Sequence, residues 1–547
     1  MKCFTPFFVG LILLLTTLRT YAQEPIPDAR CAPAAFLTLE HGRLAGVDWV
    51  EYRSGKARSY AVLNQSLIVD ATIDLHADQT ASHASVAVFT AGSRPRHPTV
   101  NDLGDGAIYW SPMLVSSVEQ AIARARALGQ VAATIPGASL FSASRVQLVV
   151  KRLDATDWTI DYQDKHYEVL TDEQGCMVSA ALPDFGVIIE RRTGFARTQY
   201  PLWSPYGAPP DHAYQALDVS IPAPRGHVLA GTLTLPAGRT NVPAALMITG
   251  LSPHERNNGS APWMPFRDFA DALTRAGIAV LRVDDRGEGQ STGNHASMTL
   301  EDKVDDVRTE VKWLRARKGI DATRIALIGY SEGGLIAPMV ASSDRAISAI
   351  VTLAGPGVPG RQVARYQVAL PILRDPTVPA ADKSQEIDRK LAESLKGLSP
   401  HEQTYLATQP QKYDRQVLCP ALVIQGGSDA DVPVRSAERI AAAMRVAGNR
   451  DVTVRIFPGV SHSLLPDPNG LATGWAWLPG FITTPELLDQ VTHWVVARLS
   501  LPGPIVGART AAPARGAGPR SAAHRAAAMR APVALPSRNA RIPFTQT

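Results

Sequence analysis

The feature that most constrains the fold is a serine placed between a strand pattern and a helix pattern. Residues 329–333 read Gly-Tyr-Ser-Glu-Gly, with Ser331 at the centre. The mainly apolar run 324–328 before them is typical of a buried strand, and residues 334–340 after them are typical of a packed helix. A serine at the apex of such a turn forms a nucleophile elbow, whose small flanking residues let strand and helix approach closely. Ser331 is therefore the first candidate catalytic residue.

An acid and a base follow the serine in the chain order that this elbow requires. The strand pattern at residues 421–425 runs into a polar loop that contains Asp429 and Asp431. We select Asp429 as the acid and keep Asp431 as the alternative. The strand pattern at residues 452–457 runs into a loop that contains His462. A histidine in a loop after the last strand is placed to reach both the acid and the serine.

The chemistry of a serine nucleophile explains why these three residue types belong together. A serine hydroxyl is a weak nucleophile at neutral pH, so a base must take its proton during attack. Histidine titrates near neutrality, and a buried carboxylate fixes its tautomer and stabilises the imidazolium. Other interpretations of the same residues remain open, because Asp429 could cap the following helix and His462 could be a solvated loop residue.

A fourth element is the site that would hold the negative charge formed during attack. The strand pattern at residues 244–250 ends in a loop that begins with Leu251. The backbone N–H groups of Leu251 and of Glu332, the residue after the serine, are predicted to form an oxyanion hole. One donor of this kind can change the rate by about a hundredfold or more.

These segments carry a resemblance to a known family. Residues 215–500 resemble an α/β-hydrolase of the esterase branch, related to serine aminopeptidases and prolyl-oligopeptidase-like hydrolases. The resemblance is carried by the segments described above together with residues 229–236, 249–253 and 284–293. The resemblance implies a serine hydrolase. Such proteins often carry His-Gly before the oxyanion residue, where this chain has Thr249 and Gly250. We expect this difference to change the support of the loop without removing its N–H donors. The Asp-Asp-Arg-Gly run at 284–287 is interpreted as a structural turn.

Strand and helix patterns alternate along this region. Such alternation predicts an α/β fold with a mostly parallel, doubly wound sheet and helices on both faces. Val304, Val307, Val311 and Leu314 recur at helical spacing and give one apolar face. Residues 355–414 form a longer, partly helical insertion, which is a candidate cap over the active site; an ordinary surface hairpin is the alternative.

The remaining parts of the chain differ in composition. Residues 1–22 have the charge and apolar pattern of a cleaved signal peptide, with a membrane anchor as the alternative. An exported protein, periplasmic or extracellular, is therefore expected, with no stable membrane insertion after cleavage. Residues 23–200 are predicted to form a smaller β-rich domain, followed by a linker at 201–214. Residues 501–547 hold seven Arg and no Asp or Glu, and their composition predicts a disordered tail.

Four cysteines are present, and Cys3 would leave with the signal peptide. Cys31 and Cys176 both precede the hydrolase-like region and are the expected disulfide pair, while Cys419 is expected to be a buried thiol. No Cys or His cluster has metal-ligand spacing, so neither a metal nor another cofactor is predicted.

The sequence thus predicts hydrolysis of small-molecule carboxylic esters through an acyl-enzyme. The alternative is a serine peptidase similar to aminopeptidases, since the same triad serves both reactions. A binding protein with vestigial activity is a third hypothesis. The seven Arg of the tail exceed the formal net charge of +5, so the rest of the chain is slightly acidic. Nucleic acid is therefore not an expected partner, and no oligomeric state is predicted.

Overall fold

The protein is described from a computed structural model that places residues 31–53, 55–93, 98–104, 106–111, 114–139, 145–471 and 480–500. These residues belong to one compact unit. The predicted signal peptide and the predicted tail lie outside the described residues. Within the described ranges, no helix is long and apolar enough to cross a membrane.

The amino-terminal region is built on one long antiparallel sheet with a single helix. Thirteen strands of the described chain form this sheet in the order β6-β5-β4-β3-β2-β1-β13-β12-β11-β10-β9-β8-β7, and β7 and β8 are its parallel pair. Their bounds are β1 (Ala34–Glu40), β2 (Arg43–Arg53), β3 (Lys56–Leu63), β4 (Leu67–Leu75), β5 (Ala81–Thr90), β6 (Thr99–Asp102), β7 (Ile108–Trp110), β8 (Ala132–Ser139), β9 (Arg145–Arg152), β10 (Asp157–Tyr162), β11 (Lys165–Thr171), β12 (Met177–Leu182) and β13 (Val187–Arg192).

Local sequence explains how this sheet is folded. The hairpin between β1 and β2 turns at His41 and Gly42, whose φ angles of 48° and 77° suit the tight turns that match the twist of the strands. In β11, buried and exposed residues alternate strictly, so one face of the strand lies in the core. Two short 3₁₀ helices, Pro183–Phe185 and Arg197–Gln199, flank β13.

The helix α1 (Val115–Leu128) connects the neighbouring parallel strands β7 and β8. Its Glu119 is buried, with 1% of its surface exposed. The Glu119 carboxylate accepts a hydrogen bond from the Tyr52 hydroxyl in β2 at 2.7 Å and from the Met177 backbone N–H in β12 at 3.0 Å. Because a buried carboxylate is stable only when its oxygens are paired, these bonds hold the helix between β2 and β12.

A disulfide closes the same region. Cys31 and Cys176 are joined, as expected from the sequence, across a separation of 145 residues. Cys419 is a free thiol at intermediate exposure, and burial raises its pKa to about 12. The disulfide therefore fastens the start of the described chain to the strand β12.

The carboxyl-terminal region is an α/β sheet of eight described strands in the order β14-β15-β17-β16-β18-β19-β20-β21. The pairs β14–β15 and β15–β17 are antiparallel and the other five pairs are parallel. The bounds are β14 (Tyr214–Pro222), β15 (Val228–Pro236), β16 (Val242–Ile248), β17 (Ala279–Val283), β18 (Ile320–Tyr330), β19 (Ala349–Leu353), β20 (Ala421–Gly426) and β21 (Val452–Phe457).

Helices cover both faces of this sheet, as the alternating patterns predicted. One apolar cluster joins the sheet to α3, α4 and α9, and a second joins it to α2 and α10. Four helices, α5 to α8, form the insertion between β19 and β20. The bounds are α2 (Pro265–Arg275), α3 (Leu300–Ala316), α4 (Gly333–Ser343), α5 (Gly360–Arg374), α6 (Lys383–Ser394), α7 (Pro400–Ala407), α8 (Gln411–Asp414), α9 (Ser436–Val446) and α10 (Pro485–Ser500).

The two regions are packed together through buried polar groups. Arg267 in α2 is 1% exposed; it donates hydrogen bonds to the Ser66 hydroxyl and, at 2.9 Å, to the Asn64 carbonyl. Its guanidinium also lies over the ring of Trp203, 4.3 Å from the ring centroid. Trp203 belongs to the segment predicted as a linker, and it is buried here rather than solvated.

Glu40, at the end of β1, makes a second buried contact with the carboxyl-terminal region. Its carboxyl group accepts hydrogen bonds from the backbone N–H groups of Phe481 and Ile482, both at 3.2 Å. The pKa of Glu40 is raised to about 8, mainly by burial. The two N–H groups lower this pKa, and the charge of Asp268 raises it. Glu40 is thus mainly protonated at neutral pH.

We expect disulfide reduction to destabilise the protein by about 2–5 kcal/mol, because the bond closes a long loop in the unfolded chain. Urea unfolding with and without a reductant measures this difference. A Cys419→Ala variant should respond to reductant as the wild type does. A variant with Cys31→Ala and Cys176→Ala should be destabilised without reductant and should not respond to it; equal stability of that variant and the wild type would contradict the prediction.

Glu40 should make stability depend on pH. Its folded pKa of about 8 lies above its ordinary value of 4.5, so its contribution is fully present below pH 4.5 and is lost as pH rises through 8. Glu40→Gln, which mimics the protonated acid, should therefore lose less stability than the wild type between pH 5 and pH 9. Urea midpoints at both pH values test this, with Glu168→Gln on an exposed position of β11 as the control. Identical pH dependence in wild type and Glu40→Gln would contradict it.

Candidate active site

The site is built around the turn from β18 to α4. Ser331 has a φ of 52°, in the left-handed region that a non-glycine residue rarely adopts. A Cβ on Gly329 would collide with the carbonyl oxygen of Gly333, and a Cβ on Gly333 would collide with that of Ile248. Both glycines are therefore required by close backbone approach, and the turn presents the Ser331 side chain above the sheet.

Ser331, His462 and Asp429 form a continuous line of hydrogen bonds. The Ser331 Oγ lies 3.0 Å from His462 Nε2. The His462 Nδ1 lies 2.9 Å from Asp429 Oδ2. The structure thus brings together the three side chains selected from the sequence. With a carboxylate at Nδ1, the imidazole carries its proton there and leaves Nε2 free to accept the serine proton.

Asp429 rather than Asp431 contacts the imidazole. The Oδ1 of Asp429 accepts hydrogen bonds from the backbone N–H groups of Asp431 at 2.9 Å and Val432 at 2.7 Å. Its Oδ2 also accepts a bond from the Gln425 side-chain amide at 2.6 Å. Asp429 is only 1% exposed, and these donors hold its carboxylate in a fixed orientation. Asp431 contributes its backbone N–H to this support.

His462 is held by its own loop and by an aromatic ring. The backbone N–H of Ser461 bonds to the Leu465 carbonyl at 3.0 Å, which closes the loop around the histidine. The ring of Tyr330 lies 5.2 Å from the imidazole, centroid to centroid. Burial lowers the pKa of His462, but the attraction and hydrogen bond of Asp429, with the charge of Asp431, outweigh it and leave the pKa raised above 6.5.

Of the two predicted oxyanion donors, Glu332 directly follows Ser331 in the chain and Leu251 belongs to a neighbouring loop. A Cβ on Gly250 would lie 3.4 Å from the Ser331 Cβ, so the Gly250–Leu251 peptide is close to the nucleophile. Gly250 is fixed through its N–H, which donates to Asn258 Oδ1 at 2.8 Å. Within the described ranges, the backbone N–H groups of Leu251 and Glu332 donate to no other protein group. Both remain available to a ligand.

The Asp-Asp-Arg-Gly run supports the Gly250 loop, a role that the sequence did not reveal. Asp284 accepts hydrogen bonds from the Arg256 backbone at 2.8 Å and from its guanidinium at 2.9 and 2.7 Å. Asp285 accepts from the Thr249 hydroxyl at 2.7 and 2.9 Å and from the His254 backbone at 2.9 Å. Thr249, at the position where related proteins often carry a histidine, therefore supports the loop through its hydroxyl.

Two residues near the site were missed from the sequence. Lys303 in α3 is 3% exposed, and its ammonium lies 3.1 Å from Asp285 and 3.5 Å from Glu332. His401 in α7 contacts the same Glu332 carboxylate through Nε2 at 2.6 Å. Lys303 lies one helical turn from both Leu300 and Val307, and a lysine beside an apolar helix face is a signal that could have identified it. The sequence around His401 contains no signal that predicts its contact with Glu332.

The insertion between β19 and β20 also contacts the acid. The hydroxyl of Tyr366 in α5 donates to the backbone carbonyl of Asp429 at 2.8 Å. Together with His401, this bond places α5 and α7 next to the candidate site.

Comparisons with known proteins agree with this architecture. A family model described as serine aminopeptidase, S33, matches residues 264–394. Esterase EstD of Thermotoga maritima is 25% identical over 281 residues, covering 49% of this chain and 65% of EstD, so the chain spans less than two thirds of that relative. An uncharacterized protein of Mycobacterium tuberculosis is 31% identical over 238 residues, covering 43% of this chain and 70% of that protein.

Among solved structures, an esterase of Pyrococcus furiosus aligns over 55% of this chain and 94% of its own, with 18% identity and a TM-score of 0.39. The resemblance inferred from the sequence motifs is confirmed by the family model and the sequence relatives. Residues 264–394 therefore match a family of serine aminopeptidase-like hydrolases, and this part of the chain is similar to α/β-hydrolases of the branch that includes esterases.

Proposed function

We propose that the protein is a serine hydrolase that cleaves carboxylic esters through an acyl-enzyme. The observation that carries this proposal is the unbroken line from Ser331 to His462 at 3.0 Å and from His462 to Asp429 at 2.9 Å, with the serine on a strained turn. Such geometry is the requirement for an activated serine nucleophile.

The proposed first stage is acylation. His462 Nε2 takes the Ser331 proton as Oγ attacks the ester carbonyl, and the new C–O bond leaves a negative charge on the former carbonyl oxygen. The backbone N–H groups of Leu251 and Glu332 stabilise that charge. The tetrahedral intermediate then expels the alcohol, which receives the proton from His462, and the acyl group stays on Ser331.

The second stage is hydrolysis of the acyl-enzyme. Water replaces the alcohol, His462 takes its proton, and the hydroxide equivalent attacks the acyl carbonyl. Collapse of the intermediate releases the carboxylic acid and returns the proton to Ser331. Asp429 keeps the imidazole oriented in both stages and stabilises its protonated form. No step requires a metal or an organic cofactor.

The acid beside the nucleophile favours esters over peptides with a free amino terminus. Glu332 is fully buried, and its carboxylate is engaged by Lys303 and His401. It is therefore not available to pair with a substrate ammonium. The similarity to EstD, an esterase, points the same way. Peptide hydrolysis remains the second candidate, because the matching family model is described as a serine aminopeptidase.

The same proposal includes the surroundings of the site. Residues 355–414 act as a cap, supported by the contacts of Tyr366 and His401 with the site. Residues 215–500 are the catalytic domain and residues 23–200 an accessory β-rich domain.

Export is supported by the apolar amino-terminal pattern and by the Cys31–Cys176 disulfide, since disulfides persist mainly in oxidising compartments. The partner is a small-molecule ester.

Ser331→Ala should lower kcat/KM for p-nitrophenyl esters by about 10⁴-fold or more, because the nucleophile is lost. Wild type and variant are assayed on an acetate-to-octanoate series beside aminoacyl p-nitroanilides. Ser343→Ala, at the exposed far end of α4, is the matched control and should retain full activity. Ester hydrolysis that survives in Ser331→Ala would contradict the mechanism. Faster cleavage of anilides than of esters by the wild type would indicate a peptidase instead of an esterase.

The pH dependence should report His462. Since imidazolium cannot act as the base, kcat/KM should rise with pH through an apparent pKa above 6.5, the direction in which Asp429 and Asp431 move this group. Asp431→Asn removes one of those charges while its backbone N–H still supports Asp429, so the rise should shift to lower pH. Asp388→Asn, exposed on α6, should leave the profile unchanged. An apparent pKa below 6.5, or a profile unmoved by Asp431→Asn, would refute this assignment.

A further inference from the structure

Lys303 has a short contact that charge balance does not explain. Its ammonium donates to the carbonyl oxygen of Gly250 at 2.6 Å, whereas the carboxylates of Asp285 and Glu332 lie farther away, at 3.1 and 3.5 Å. A lysine retained only to neutralise two carboxylates would be expected closest to a carboxylate. Here the shortest contact is with a neutral backbone group.

The buried ammonium remains charged. Burial lowers the pKa of Lys303, but the charges and hydrogen bonds of Asp285 and Glu332 outweigh it, and the pKa is raised overall. A charged donor forms a stronger hydrogen bond than a neutral one, particularly where water is excluded. The Gly250 carbonyl is therefore held by the strongest donor in its surroundings.

The contacted carbonyl belongs to the peptide that carries one oxyanion donor. The carbonyl of Gly250 and the N–H of Leu251 are two ends of a single planar peptide, and in a trans peptide they point in opposite directions. Among the described residues, the one cis peptide bond is Ala261–Pro262, so the Gly250–Leu251 peptide is trans. Fixing the carbonyl on the Lys303 side thus aims the Leu251 N–H away from Lys303.

The rest of the loop is fixed by other groups. Asn258 holds the Gly250 N–H, and Asp285 holds the Thr249 hydroxyl and the His254 N–H. Among the described groups of this loop, the Gly250 carbonyl is the one that accepts a hydrogen bond from Lys303. The same ammonium pairs with the side chain of Glu332, whose backbone supplies the second oxyanion donor.

We propose that Lys303 is a positioning residue of the oxyanion hole, which orients the Gly250–Leu251 peptide and links it to Glu332. This inference rests on the proposed serine-hydrolase function. Lys303 touches neither substrate nor nucleophile in this role. It acts through the direction of the Leu251 N–H, and its positive charge polarises that peptide so that the N–H becomes a better donor to the developing oxyanion.

The test compares an ester with its thionoester, in which sulfur replaces the carbonyl oxygen. Because sulfur is larger and a weaker hydrogen-bond acceptor, an intact oxyanion hole favours the ester, and a misaligned hole favours it less. Lys303→Met removes the ammonium at similar length. Lys312→Met, on an exposed position of the same helix, is the matched control. The assays use p-nitrophenyl acetate and p-nitrophenyl thionoacetate with the full chain.

We expect Lys303→Met to lower kcat for the ester by about 10- to 100-fold with KM within about twofold, since the lost interaction acts in the transition state. The preference for ester over thionoester should fall by about tenfold, and Lys312→Met should match the wild type. Thermal unfolding shows whether each variant is folded. If Lys303→Met does not fold, Lys303→Gln, which keeps a shorter N–H donor, is measured in the same way.

A purely structural Lys303 predicts a different result. Equal losses on the ester and the thionoester, with their ratio unchanged in a folded variant, would overturn the inference, as would wild-type activity in Lys303→Met. Failure of the underlying function is separate: it would appear as absent ester hydrolysis in the wild type or as activity retained by Ser331→Ala.

Discussion

The close approach of the Ser331 turn to the neighbouring strand β16 is the constraint on which the candidate site depends. Gly333 lies so near the Ile248 carbonyl that no side chain fits between them. The same approach places Gly250, just beyond the end of β16, next to Ser331. Ser331 and the proposed oxyanion peptide are therefore neighbours because two parallel strands end side by side, and the positive φ of Ser331 is the conformational cost of that closeness.

The amino-terminal sheet contributes to this framework. Trp263 and Leu465 belong to the apolar cluster of that sheet, although both lie in the carboxyl-terminal region of the chain. The Trp263 indole N–H donates to the Ser463 carbonyl at 3.1 Å, directly after His462, and its ring contacts that of Tyr330. The histidine loop is thus packed between the two sheets. Loosening the amino-terminal core would loosen the support of the base.

Local patterns predicted the triad, because Ser331, Asp429 and His462 each follow the end of a strand, and parallel strands bring such ends to one edge. The strands and helices of both regions could also be predicted, because hydrophobic periodicity is a local property of the sequence. Lys303 and His401 depend instead on contacts with Gly250 and Glu332, which are distant in sequence. Helical spacing does place Lys303 beside the apolar face of α3, where a buried charge requires partners, but it does not identify them.

The buried Glu332 carboxylate connects the oxyanion region to the insertion above it. Lys303 approaches this group from α3 and His401 from α7, so a single carboxylate joins the core of the carboxyl-terminal region to the insertion helices. On the other side, Tyr366 fastens α5 to the carbonyl of Asp429. Movement of α7 away from the site would therefore leave a fully buried carboxylate with fewer partners, which is costly. The proposed cap and the proposed oxyanion loop are thus connected through this one side chain.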